Sequence, residues 1–229
     1  MNLDLHIHTE YSIDSQISLK SLVSECKKKK ITPGICDHGN SRAHEVLHKM
    51  KVQFIPGIEI YTQQGHLIAY YTNDPVPNHL SFAEALDKIQ EQGAIACAPH
   101  PFDTKTYPFI KKKFRKSIGT EDETTMKKCD LIEVFNSRAD KKANQRASEF
   151  SKKHKISATA GSDAHFPFEI GAAFIQTAED FDIEDPKQFI KTIKSKNSNI
   201  YGKQTTFFVH GTTSVFRKIR KWFGGKPLM

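Results

Sequence analysis

The chain has 229 residues, 38% hydrophobic and 26% charged, a composition of globular proteins and not of disordered or membrane-embedded ones. Lysine and arginine exceed aspartate and glutamate by eight, a balance that tolerates phosphates or nucleic acid as partners. No apolar run approaches the ~18 residues of a spanning helix, and the start of the chain lacks a basic region followed by an apolar stretch, so a cytoplasmic protein with no membrane span is expected.

Leu3–Ile7 is the first strand pattern. Leu19–Lys30 follows with apolar residues at helical spacing, behind Ser18 as N-cap. Thr32–Cys36 is the second strand and Arg42–Lys51 the second helix. Gln53–Ile58 and His66–Tyr71 read as the next two strands, and Phe82–Gln92 as a helix capped by Ser81. Ala94–Ala98 is a fifth strand. The stretch Thr104–Met126 is polar and basic, a long connection with short helices. Leu131–Phe135, the helix Lys141–Lys155, Ser157–Ala160 and a weaker strand at Ala172–Thr177 come next. Pro186 fits the first turn of a helix near Lys187–Lys196.

Alternating strands and helices predict an α/β fold, a parallel sheet with covering helices, in one domain over residues 1–229. The first strand is not followed by a Gly-rich phosphate loop, which argues against a dinucleotide-binding version. Cys26, Cys36, Cys97 and Cys129 form no C-x-x-C pair and read as buried or idle thiols. Near the C-terminus, Val215, Phe216, Ile219, Trp222 and Phe223 fall on one helical face, and Arg217, Lys218, Arg220 and Lys221 on the other. Residues 212–229 are thus expected to form a basic amphipathic segment. It could pack on the neighbouring helices, extend a footprint for RNA or DNA, or lie on a membrane surface.

The chemistry lies in the histidines and acids. His6 and His8 alternate on one strand and so point to one side. Asp14 lies in the following loop. Asp37-His38 follows the second strand, Glu59 the third and His100 the fifth, while His66 begins the fourth. Asp163 and His165 follow a late strand. The carboxyl ends of parallel strands are where α/β proteins build sites. Nitrogen and oxygen donors without sulfur suit zinc, manganese or iron. Burying this many polar groups costs free energy unless something pairs them, and a metal cluster pairs them together. His44 and His48, four apart among lysines, read instead as a solvated helix face.

The ordered motifs Asp4-Leu5-His6-Ile7-His8-Thr9, Asp37-His38-Gly39, Gly57-Ile58-Glu59-Ile60, His100-Pro101 and Gly161-Ser162-Asp163-Ala164-His165 resemble those of the PHP family, named for polymerase and histidinol phosphatase. The resemblance runs from residue 3 to about residue 177. It implies a distorted seven-stranded (β/α) barrel with two or three divalent metal ions at its carboxyl end, and hydrolysis of phosphate esters. It also implies ligand sets: His6, His8, Glu59 and Asp163 on one ion, Asp14, His38 and His165 on a second, and Glu59, His66 and His100 on a third, with Glu59 bridging.

Such a cluster would acidify a shared water and neutralise charge on the phosphoryl oxygens, the water being held among His6, His8, His38, Glu59, Asp163 and His165. Asp4 and Asp37 are candidates for orienting imidazoles, or else solvated loop acids. Arg138, after the sixth strand, and more weakly Arg42, are candidates for gripping a substrate phosphate. The expected substrate is a phosphorylated small molecule or a nucleotide or oligonucleotide end, with nucleic acid a possible partner. A metal-barrel hydrolase of C–N bonds is disfavoured because Glu59, and no lysine, occupies the third strand. A non-catalytic or weakly catalytic nucleic-acid-binding barrel is the alternative reading.

Overall fold

The computed structural model describes residues 1–104, 117–195, 197–205 and 222. The chain runs β1 (Asn2–Ile7), α1 (Leu19–Lys29), β2 (Thr32–His38), α2 (Arg42–Lys49), β3 (Ile55–Tyr61), β4 (His66–Tyr70), α3 (Phe82–Glu91), β5 (Ile95–Ala98), α4 (Ile118–Glu121), α5 (Glu123–Met126), β6 (Leu131–Asn136), α6 (Lys141–His154), β7 (Ser157–Gly161), β8 (Ala173–Thr177), α7 (Pro186–Lys194) and β9 (Ser198–Gly202). The expected basic helix at residues 212–229 lies outside the described residues, Trp222 apart. Among those residues, no helix is long and apolar enough to cross a membrane.

Local signals set the helix starts. The Ser18 side chain accepts from the Ser21 N–H, and Ser81 forms a reciprocal capping box with Glu84. Pro186 sits at the first turn of α7 behind Asp185, whose carboxylate caps two N–H groups.

The strands form one sheet in the order β7-β6-β5-β4-β3-β2-β1-β8-β9. At the rim, an isolated parallel bridge joins Ile7 to Ala164, bringing the β7 end against β1 and nearly closing the sheet into a barrel. The sheet is not all parallel as expected. β4 runs antiparallel to β3 and β5, and β8 antiparallel to β1 and β9. The cause at β4 is the connection. Residues 62–65 form a turn, with Thr62 donating to the Gly65 carbonyl at 2.8 Å, and so short a link closes only an antiparallel hairpin. The ninth strand was not anticipated, because Ser198–Gly202 is an exposed, polar edge segment.

Alternating residues sort onto two faces. Leu5, Cys36, Tyr70, Cys97 and Leu131, from different strands, meet in an inner apolar cluster joined by Phe189 and Ile193 of α7. Leu67, Ala96 and Ile132 face outward against Leu86 and Ile89 of α3 and Phe150 of α6. Ile7 and Ile35 face Leu22 and Leu47 of α1 and α2. Each fully buried Leu, Ile or Phe contributes about 1.5–3 kcal/mol. β1 changes phase on the way. Leu3 and Leu5 join the inner cluster, the register shifts between Asp4 and Ile7, and Ile7 joins the outer one. Such an irregularity re-aims side chains, and here His6 and His8 turn inward above the apolar floor.

Candidate metal centre

The structure gathers the predicted ligands at one end of the barrel. Glu59, 1% exposed, lies at the centre. Its Oε1 stands 2.7 Å from His66 Nδ1, 3.0 Å from His100 Nε2 and 3.7 Å from His6 Nε2. Its Oε2 is 2.9 Å from His38 Nδ1 and 3.5 Å from His8 Nε2. The reversal of β4 explains how His66 reaches this end. A strand running the other way presents its first residue where its neighbours present their last.

Asp163 Oδ1 lies 3.3 Å from His8 Nε2 and 3.8 Å from His6 Nε2. Asp14 Oδ1 is 3.4 Å from His38 Nε2 and 3.5 Å from His165 Nε2. Among the described residues, four sets have donor atoms within 4.8 Å of one another: His8, His38 and His165; His6, His100 and Asp163; His6, His8 and Glu59; and Glu59, His66 and His100. His6 and His8 each belong to two sets, so the sets interlock. His100 and Asp163 sit at positive φ, 29° and 53°. Strained backbone of this kind concentrates at functional sites.

The residues fit a metal cluster on their own geometry. Asp14 Oδ1, His38 Nδ1 and Glu59 Oε2 are buried without a hydrogen-bond partner. His38 Nδ1 and Glu59 Oε2 approach to 2.9 Å yet are not aligned as donor and acceptor. Two imidazole nitrogens, His6 Nε2 and His8 Nε2, face each other at 3.1 Å. Convergent lone pairs are costly in a dry site and suit a shared cation.

The acids and imidazoles of the cluster act strongly on one another. Burial opposes ionisation of Glu59, but the imidazoles of His66, His6 and His38 hold its carboxyl well below the usual range. Burial likewise opposes a charged Asp163, and His6, His8 and His165 overcome it. Burial disfavours a charged His38, yet Asp14 and Glu59 push its imidazole up to about 10. His8 is held well below its ordinary value by burial and then by repulsion from His38 and His165.

The imidazoles are oriented from behind. His8 Nδ1 lies 3.2 Å from Ser12 Oγ, which donates to Asp37 at 2.6 Å. Asp37 also accepts from the Thr9 N–H at 2.7 Å and from the Thr9 hydroxyl. His165 Nδ1 lies 2.8 Å from the Asp163 carbonyl. Asp37 thus reaches an imidazole through a serine, and it is fully buried and not a solvated acid. Among the described residues, Asp4 bonds to no imidazole. It accepts from the N–H groups of Ser162 and Gly171, both at 2.8 Å, and so pins the loop carrying Asp163 and His165. Burial pushes its carboxyl up to about 7.

Glu133 on β6 was missed. Its Oε1 lies 3.1 Å from His6 Nδ1, and its Oε2 accepts from the His100 N–H at 2.8 Å and the Asn136 amide at 2.9 Å. The available signal was an acid two residues after Leu131, in the inward phase of an apolar strand. Tyr61, stacked on His38 with ring centroids 4.8 Å apart, was also missed.

Arg138 follows β6 as expected, but it is only 6% exposed and its Nε donates to buried Glu169 at 3.0 Å. Glu169 also accepts from the N–H groups of His165 and Phe166, at 2.9 and 3.0 Å. Arg138 therefore ties down the ligand loop instead of standing open on the rim. Arg42 is exposed, its guanidinium 5.3 Å from the Tyr11 ring centroid and its Nε 3.4 Å from Asn40 Oδ1. His44 is half-buried, with Nε2 3.4 Å from the Ile35 carbonyl, and is not the solvated residue expected.

Comparison with known proteins agrees with the motifs. A family model described as PHP domain matches residues 4–92, and one described as PHP-associated matches residues 141–198. An uncharacterised protein of Methanocaldococcus jannaschii is 37% identical over 209 residues, covering 87% of this chain and 82% of its own. Two solved structures share the fold. One is a two-domain protein of Bacteroides vulgatus containing a predicted PHP-like metal-dependent phosphoesterase, with a TM-score of 0.62 and 18% identity. The match covers 89% of this chain and 65% of that one. The other is a lesion-specific endonuclease of Pyrococcus furiosus, with a TM-score of 0.62 and 18% identity over 87% of this chain and 57% of that one. With the relative matched over most of its length and the family's motifs gathered at one barrel end, this chain belongs to the PHP family.

Proposed function

We propose that this chain is a metal-dependent phosphoesterase acting as one barrel unit, with divalent manganese, zinc or iron held in the Glu59 cluster. The observation that carries the reading is the convergence of imidazole and carboxylate donors on Glu59, with buried donor atoms left without hydrogen-bond partners. His6, His8, Glu59 and Asp163 would hold one ion, Asp14, His38 and His165 a second, and Glu59, His66 and His100 a third. The chemistry that bound divalent cations supply is acidification of water and neutralisation of phosphoryl charge.

The chain's own residues do the rest. Glu59 would help hold more than one ion, with its Oε1 facing His66 and His100 and its Oε2 facing His38 and His8. Asp37, through Ser12, fixes the His8 ring, and the Asp163 carbonyl fixes that of His165. Arg138 and Glu169 hold the loop between Asp163 and Phe166 in place. The substrate is a phosphorylated small molecule or a nucleotide or oligonucleotide end. The PHP-like phosphoesterase and endonuclease among the structural neighbours are consistent with either.

Hydrolysis of an aryl phosphate tests the reading. Metal-stripped protein should be silent, and added Mn²⁺, Zn²⁺ or Fe²⁺ should restore turnover. Glu59→Gln should lower kcat at least ~100-fold, the scale seen when a charge-stabilising group is removed from a site. Activity that survives verified metal removal would end the proposal. Oligonucleotide binding with no hydrolysis under any metal would point to the non-catalytic barrel.

A further inference from the structure

Glu133 links two of the elements that supply the cluster. From β6, one carboxylate oxygen meets His6 of β1, and the other meets the main chain of His100 just after β5. Asn136 extends the span. Its amide donates to Glu133 Oε2 at 2.9 Å and lies 3.4 Å from Asp163 Oδ2. Glu133 is 2% exposed, so this carboxylate is kept out of water for the sake of these contacts.

A carboxylate facing His6 Nδ1 requires that nitrogen to carry the proton. The Nε2 lone pair is then turned toward His8, Glu59 and Asp163, the orientation a ligand needs. The second oxygen acts on backbone. His100 holds a φ of 29°, and its N–H bond to Glu133 keeps that strained residue where Nε2 meets Glu59 at 3.0 Å. Room for the carboxylate is provided by Gly161, where an added Cβ would stand 2.8 Å from Glu133 Oε1.

We propose that Glu133 is a positioning residue, outside the ligand set, that aims His6 and seats His100 together. The inference rests on the metallo-phosphoesterase reading, and its test reads metal binding instead of turnover. Mn²⁺ affinity and stoichiometry would be measured for wild type, Glu133→Gln and Glu133→Asp by chelator competition, with thermal unfolding of the metal-free proteins alongside. Glu133→Gln keeps the size and removes the charge on His6. Glu133→Asp keeps the charge but is one methylene too short to span both partners.

Both variants should weaken Mn²⁺ binding about 10- to 100-fold, the usual consequence of losing a carboxylate behind a ligand histidine, with the number of ions bound unchanged. Either variant suffices if the other does not fold. Loss of one whole ion would make Glu133 a ligand and overturn the proposal. A lowered unfolding temperature with unchanged affinity would make it merely structural. Full affinity in Glu133→Asp would leave charge, and not position, as its contribution. A wild type that takes up no Mn²⁺ would overturn the phosphoesterase reading and this one with it.

Discussion

A Cβ built on Gly161 would stand 2.3 Å from His6 Cβ and 2.9 Å from His6 N, so β1 and β7 approach more closely than any side chain at this position allows. Gly161→Ala should therefore push His6 away from Glu133 and the cluster. Overpacking of this kind costs about 1–3 kcal/mol. The expected result is a folded protein of lower unfolding temperature whose metal content, measured after dialysis, falls below wild type. Normal metal content would mean the strands separate without moving His6.

Arg138 poses a different question at the same scale. Breaking a buried ion pair from one side costs about 3–5 kcal/mol, because the remaining charge stays buried. Arg138→Ala should lower stability by that order in urea unfolding, since Glu169 is fully buried. A variant of wild-type stability with a raised KM would return Arg138 to the role of phosphate ligand. The sequence made the candidate ligands readable because their motifs keep order and residue type. It did not reveal Glu133, the partner of Asp4 or the partner of Arg138, since each acts through a contact far along the chain: Glu133 with His6, Asp4 with Ser162, Arg138 with Glu169.

At the scale of elements, periodicity located most strands and helices to within a few residues but said nothing of strand direction. β4 is the clearest case. The same apolar run fits either direction, and only the brevity of residues 62–65 decides. β9 escaped because an edge strand needs no apolar alternation, and its residues are mostly exposed. α7 was expected as a helix, but not that it would seal the inner cluster. Phe189 is fully buried, with ring centroids 5.6 Å from Tyr70 and 5.4 Å from Tyr71. Phe189→Ala should cost about 3–5 kcal/mol, read as a shift in the denaturant midpoint. A loss under 1 kcal/mol would show that α7 is not part of the barrel's core.

At the scale of the whole molecule, charge is divided unevenly along the sequence. Lys105, Lys111, Lys112, Lys113, Arg115 and Lys116 occupy residues 105–116, and Arg217, Lys218, Arg220, Lys221 and Lys226 occupy residues 217–226, neither stretch with an acid. These account for eleven of the 34 cations, so the remainder of the chain carries 23 against 26 acids and is net acidic. The described residues that flank the first stretch lie at the carboxyl end of the barrel. On either side of the first, the Ser117 hydroxyl and the Gly119 N–H both donate to the Pro101 carbonyl, just past His100. Ahead of the second, the Thr205 N–H donates to the Ser137 carbonyl at 2.9 Å, just past β6. So much positive charge suits the phosphates of a nucleic-acid strand better than a single phosphomonoester. Each phosphate contact on a single strand contributes about 0.7 to the slope of log affinity against log salt. Replacing Arg217, Lys218, Arg220 and Lys221 by glutamine should weaken binding of a single-stranded oligonucleotide and flatten that slope by about 0.7 per contact removed. Hydrolysis of an aryl phosphate should be unchanged in the same variant. An unaltered slope would mean that these cations do not touch the strand, and would favour a small phosphorylated substrate for the site.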